Sequence, residues 1–121
     1  LPSSKGTNYD RTLFMNLHVF HTPEVKKHDS YPKRWLSPVR FSDDFHIYAL
    51  EWTPKAIRMY FDGELRAEWE NTRWHQPLEM VFDSETMPEW FGLPTPDSLP
   101  SVFSIDYVRA WRRVGELDTA K

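Results

Sequence analysis

Asn16 and His18 stand two residues apart in a run where Leu13, Met15, Leu17 and Val19 alternate with Phe14, Asn16, His18 and Phe20. In an extended chain, alternate side chains share a face, so an amide and an imidazole lie together, flanked by two aromatic rings. Such a face suits a sugar: hydroxyls need paired donors and acceptors, and the C–H face of a pyranose packs on an aromatic ring. Alternate polar residues are equally ordinary on a solvated sheet face, so both readings stand at this point. A second group is Glu79, Asp83 and Glu85. Residues i and i+2 on one strand are about 6.6–6.8 Å apart, which permits Asp83 and Glu85 to act as a carboxylate pair flanking a glycosidic bond. Binding or surface charge explains them as well. Trp90 sits in Met-Pro-Glu-Trp-Phe-Gly-Leu-Pro, a proline-studded loop. There it either pins the loop to the core or offers a stacking platform.

Other chemistries lack their residues. His18 and His21 point to opposite faces of a strand, and His28 and His46 belong to other segments, so no zinc spacing arises. No serine elbow, triad context or glycine-rich phosphate loop is present. With no cysteine there is neither a disulfide framework nor a thiolate site. The balance of 15 Lys+Arg against 18 Asp+Glu gives a net charge of −3, which argues against a nucleic-acid partner. No apolar run approaches the ~20 residues of a membrane span.

The elements that must position these residues follow period 2. Besides 13–20, alternation runs over 45–52, over 57–61 into Asp62-Gly63 and on through 65–69, over 78–85, and over 103–111. Asp-Gly between alternating runs is a strong hairpin signal. About six strands at this spacing predict an all-β, antiparallel β-sandwich. Six Trp, five Tyr and eight Phe in 121 residues suit half-buried pleated surfaces. Residues 22–42 and 87–101 are predicted as long loops, and 115–121 as a polar tail of this single segment.

The stretch Asp44-Phe45-His46-Ile47-Tyr48-Ala49-Leu50-Glu51-Trp52-Thr53-Pro54, leading into Ile57-Arg58-Met59-Tyr60-Phe61-Asp62-Gly63, resembles the F-H-x-Y-x-x-x-W-x-P…I-x-x-Y-x-D-G pattern of glycoside hydrolase family 16. Ser104-Ile105-Asp106-Tyr107-Val108-Arg109-Ala110-Trp111 resembles that family's closing strand. Residues 77–85 with 90–96 are similar to its β-agarase and β-porphyranase branch. Together the resemblance covers roughly residues 11–113.

The resemblance implies a concanavalin A-like jelly roll whose concave sheet forms a glycan cleft, and retaining cleavage of internal β-glycosidic bonds in a red-algal galactan of agarose, porphyran or carrageenan type. It also implies a secreted, cell-surface or periplasmic bacterial protein. The family's catalytic signature, E-[ILV]-D-x-(x)-E on one strand, is absent here. Glu79, Asp83 and Glu85 have the wrong spacing and are not assigned as catalysts. The signature strand precedes one like 13–20, so the catalytic Glu pair is expected upstream of Leu1. The chain then corresponds to the C-terminal half of a domain, since such sandwiches often run to ~200–250 residues. Its partner would be the missing N-terminal half or a complementary chain, and this chain alone is expected to be inactive.

By the same resemblance, Asn16 and His18 face the cleft from beside the catalytic strand. Asp83, Glu85 and Trp90 line its far side as substrate contacts. Asp106 matches a position that ligates a structural calcium in some relatives, although one carboxylate does not define a site of six to eight oxygens. No other cofactor is expected. His46, Tyr48, Trp52, Tyr60 and Trp111 read as framework packing. Lys26, Lys27, Lys33, Arg34 and Arg40 are either sulfate contacts or a solvated charge run. The alternatives to a hydrolase are a non-catalytic glycan-binding jelly roll and a half-sandwich that pairs with a partner to complete its sheets.

Overall fold

The computed structural model describes residues 8–21, 23–24, 26–90 and 92–115. Most of the expected polar tail therefore lies outside the described residues. The architecture is all-β and antiparallel, as a jelly roll requires. Its strands in chain order are β1 (Thr12–Met15), β2 (His18–Phe20), β3 (His28–Ser30), β4 (Lys33–Leu36), β5 (Tyr48–Trp52), β6 (Ala56–Phe61) and β7 (Glu64–Glu70). β1 pairs with β4 and β2 with β3, while β5, β6 and β7 form a three-stranded sheet in that order. All four pairings are antiparallel.

The β6–β7 hairpin turns through Asp62 and Gly63, at φ 49° and 81°. Two successive left-handed residues make the tight turn whose twist matches that of the flanking strands, which is why Asp-Gly serves here. A bulge at Met59/Tyr60 leaves Arg66 as the extra residue on β7. Its guanidinium lies 3.9 Å from the Trp35 ring on β4.

The core follows the alternation. Met15 and Leu17 are buried, whereas His18 and Phe20 are exposed. Leu17, Ile57 and Trp74 form the central cluster, with Val19, Met59 and Trp69 packed on it. The β1–β4 region thus buries one face against β6 and β7. Polar tethers join the same two layers. The Trp74 indole donates to the His18 carbonyl at 2.9 Å and the Trp69 indole to the Tyr31 carbonyl at 3.0 Å. At the far end of the three-stranded sheet, buried Asn71 donates to the carbonyls of Thr53 and Trp74 and accepts from the Trp74 N–H. Each polar atom of this amide is therefore used, as a buried side chain demands.

Three expectations change. Residues 22–42 are not one loop: they supply β3, a polar His-Asp-Ser, and β4, Lys-Arg-Trp-Leu, two strands too short to show alternation, which gain their pairing from β2 and β1. Residues 78–85 and 103–111 do not form strands. An extended segment becomes a strand only where a neighbour takes its alternate N–H and C=O groups, and neither segment has such a neighbour among the described residues. Leu78, Met80, Val81, Phe82, Val102, Phe103 and Ile105 are accordingly exposed. Trp111, read as framework, is 82% exposed and packs into no core.

Candidate functional site

The face of β1 and β2 turned away from the core carries Phe14, Asn16, His18 and Phe20. Asn16 accepts a hydrogen bond from the Tyr31 backbone N–H at 2.9 Å, which closes the gap between the β1–β4 and β2–β3 ladders. Its two amide N–H groups make no hydrogen bond among the described residues. His18 Nδ1 and His28 Nε2 are 2.7 Å apart, one donating and the other accepting. Their ring planes are within 17° of parallel, and Phe20 stacks on His28 with centroids 4.4 Å apart and planes within 4°. Asn16 therefore offers donors, His18 a second ring nitrogen, and the Phe20–His28 pair a flat aromatic surface.

At the other end of this face lies a pocket of about 290 Å³, lined by Tyr9, Thr12, Phe14, Arg34 and Trp90. Trp90 reaches it on a closed turn. Its N–H donates to the Met87 carbonyl at 3.0 Å, and Met87 bridges to Gly92, whose φ of 80° suits glycine. The Trp90 ring meets Phe14 edge-on at 5.4 Å, and the Tyr9 ring stacks on Phe14 at 5.8 Å. Tyr9 also donates its hydroxyl to the Trp90 carbonyl at 3.2 Å. Trp90 is 47% exposed, so the residue both ties down its loop and presents ring surface. Arg34, opposite Phe14 in the β1–β4 register, holds its guanidinium 5.2 Å from the Phe14 ring.

The structure thus brings together Asn16, His18 and Trp90 along one face. Asp83 and Glu85 are not joined to it: they lie exposed in the unpaired 78–85 segment and take part in no hydrogen bond or ion pair among the described residues. Asp106 is also exposed, and no group of three or more His, Cys, Asp or Glu able to hold a metal occurs among the described residues. They do not make a calcium cage around it.

Around the face, charge is used for structure. Asp29 accepts from His21 and Arg73, each at 3.0 Å, and lies 3.5 Å from Lys27. These partners, His21 foremost, hold its carboxyl down at about 2. Asp62 accepts from the Ile47 N–H and from His46 Nδ1, both at 2.8 Å, which also lowers its pKa. His46 packs on Phe61 with centroids 4.8 Å apart, in keeping with a framework role.

Sequence reasoning did not single out Tyr9, Thr12 or His28 as site residues. The last was hidden because β3, His-Asp-Ser, has no apolar residue to mark it as a strand. Arg34 was noted only among basic residues; its place opposite Phe14 required the β1–β4 register.

A family model described as Glycosyl hydrolases family 16 matches residues 6–89. The chain is 32% identical over 85 residues to a Beta-glucanase of Rhodothermus marinus, an alignment covering 59% of this chain and 30% of that protein. It is 27% identical over 95 residues to a Kappa-carrageenase of Pseudoalteromonas carrageenovora, covering 64% of this chain and 22% of that protein. The chain thus spans less than a third of the length of either relative.

Proposed function

The chain belongs to glycosyl hydrolases family 16, and from that premise we propose that it is the C-terminal part of a retaining endo-β-glycosidase whose glycan cleft runs over the outward face of β1, β2 and β4. The substrate in this reading is a red-algal galactan of agarose, porphyran or carrageenan type. Work on such a polymer places the protein outside the cell or at its surface. The relatives' names, one for a glucan and one for a carrageenan, support a polysaccharide as the broader class.

The observation that carries the reading is the continuous strip from the Tyr9–Phe14–Trp90 pocket to Asn16, His18 and the Phe20–His28 pair. Ring faces there alternate with unspent donors, which is the pairing a chain of pyranoses needs. Among the described residues, a pair of catalytic carboxylates is the part this strip lacks. The proposal assigns it to residues preceding Leu1, on a strand beside β1. The exposed apolar side chains of 78–82 and 102–105 support the same view, because contiguous apolar surface of this kind ordinarily packs against another element. This chain alone is then inactive, and a calcium bound at Asp106 would need its other ligands from beyond the described residues.

The test is reducing-end release from agarose, porphyran and carrageenan by the full-length protein, with the anomer of the first product followed by proton NMR. Cleavage with retention supports the proposal. Galactan binding without any reducing ends would favour a non-catalytic binding module.

A further inference from the structure

Resting on that reading, we infer that the pocket of Tyr9, Thr12, Phe14, Arg34 and Trp90 is a subsite for a sugar bearing an anionic substituent, a sulfate ester or a carboxylate, which Arg34 recognises. Four arginines of the molecule are held by carboxylates. Arg58 is engaged by Glu51 and Glu68, Arg73 by Asp29, Arg40 by Asp10 and Arg66 by Glu64. Arg34, like Arg11 and Arg109, has no carboxylate partner among the described residues, and Arg109 likewise lies over a ring, that of Tyr107. What sets Arg34 apart is its place on the wall of a cavity. Its guanidinium is held over the Phe14 ring at 5.2 Å, and it lines the cavity.

A guanidinium fixed over a ring keeps its N–H fork free and oriented, and that fork matches the paired oxygens of a sulfate or carboxylate. The surrounding groups suit the rest of the ligand. Phe14 and Trp90 present ring surface for a pyranose, and the Tyr9 and Thr12 side chains bring two hydroxyl groups to the wall. Thr12 already donates to the Asn8 carbonyl at 2.7 Å, which leaves its oxygen lone pairs for a sugar hydroxyl. Among the described residues no carboxylate lines the cavity.

The experiment is affinity electrophoresis of the protein in gels containing a sulfated galactan, the same galactan after chemical desulfation, or polygalacturonate. The expected result is at least tenfold tighter binding to one or both charged polymers than to the desulfated one. Arg34→Gln should lose about tenfold on the charged polymer, or about 1.4 kcal/mol, with unchanged binding to the desulfated galactan, and Arg34→Lys should recover part of the loss. Lys55→Gln, which removes the same charge from the turn before β6, should change nothing. Preference for sulfate over uronate, or the reverse, identifies the anion. Equal binding of charged and desulfated polymer overturns the inference while leaving the glycan reading intact. So does an equal loss in Arg34→Gln and Lys55→Gln, which marks diffuse charge attraction. Failure to bind any of the three overturns the glycan reading itself.

Discussion

The Trp90 ring lies edge-on to Phe14 with centroids 5.4 Å apart and planes at 81°, joining a distant loop to the first strand of the fold. This contact makes one wall of the pocket, on a turn that the Trp90 backbone holds through Met87 and Tyr9. Trp90→Ala should therefore weaken glycan binding by about tenfold, within the range that loss of an aromatic contact costs. Its melting temperature should stay near that of the parent, because the ring is half exposed. Paired affinity electrophoresis and thermal melts check both parts. A large drop in melting temperature with unchanged binding would make Trp90 a loop pin only.

Asp62 holds the start of β5 to the β6–β7 turn through two charge-assisted hydrogen bonds while itself at φ 49°. Asp62→Ala removes both bonds and places a residue without a local polar partner in the left-handed region. The expected loss is about 1–2 kcal/mol in urea unfolding. Asp62→Asn should cost less, since Asn tolerates the same backbone and keeps an acceptor for the Ile47 N–H. It also turns an amide toward His46 Nδ1, so His46 must accept there and carry its proton on Nε2, a buried atom with no partner among the described residues.

Asp29 and Asp62 also set the response to acid. Both carboxyls titrate below their ordinary value of 3.8 in the folded chain, Asp29 at about 2. A group depressed by folding binds its proton more readily when unfolded. Its stabilisation is therefore complete above about pH 4 and is lost as pH falls through the folded value. Between about pH 4 and 2, Asp29→Asn should flatten the fall of stability with pH, measured by denaturant melts at stepped pH. An unchanged slope would mean that the bonds from His21 and Arg73 to Asp29 do not persist in solution.

Trp74 closes the core against Leu17 and Ile57 and donates to His18 across the layers. Trp74→Ala should cost about 3–5 kcal/mol, the usual penalty for emptying a buried aromatic site. Trp74→Phe should cost less, because it keeps most of the volume and loses only the indole bond. Chemical denaturation of the two variants separates packing from hydrogen bonding.

The fold was legible where burial enforces alternation. Met15, Leu17 and Val19 turned inward and Asn16, His18 and Phe20 outward as their spacing implied, and Asp62-Gly63 made its hairpin. It was illegible where pairing, not pattern, decides. His28–Ser30 and Lys33–Leu36 are strands because β2 and β1 lie beside them, whereas 78–85 and 103–111 alternate well and pair with nothing among the described residues. The site followed the same rule. Asn16 and His18 could be placed from one strand, but the pocket needs Arg34 in register with Phe14 and Trp90 folded back over both, relationships that no local window contains.

The most direct test of the glycan face is amide and indole NMR of the protein titrated with a sulfated galactan oligosaccharide. Shifts are expected at Tyr9, Thr12, Phe14, Asn16, His18 and Arg34 and at the Trp90 indole, with β5 silent. Shifts centred instead on Tyr48, Leu50 and Trp52, or none at saturating oligosaccharide, would contradict the account.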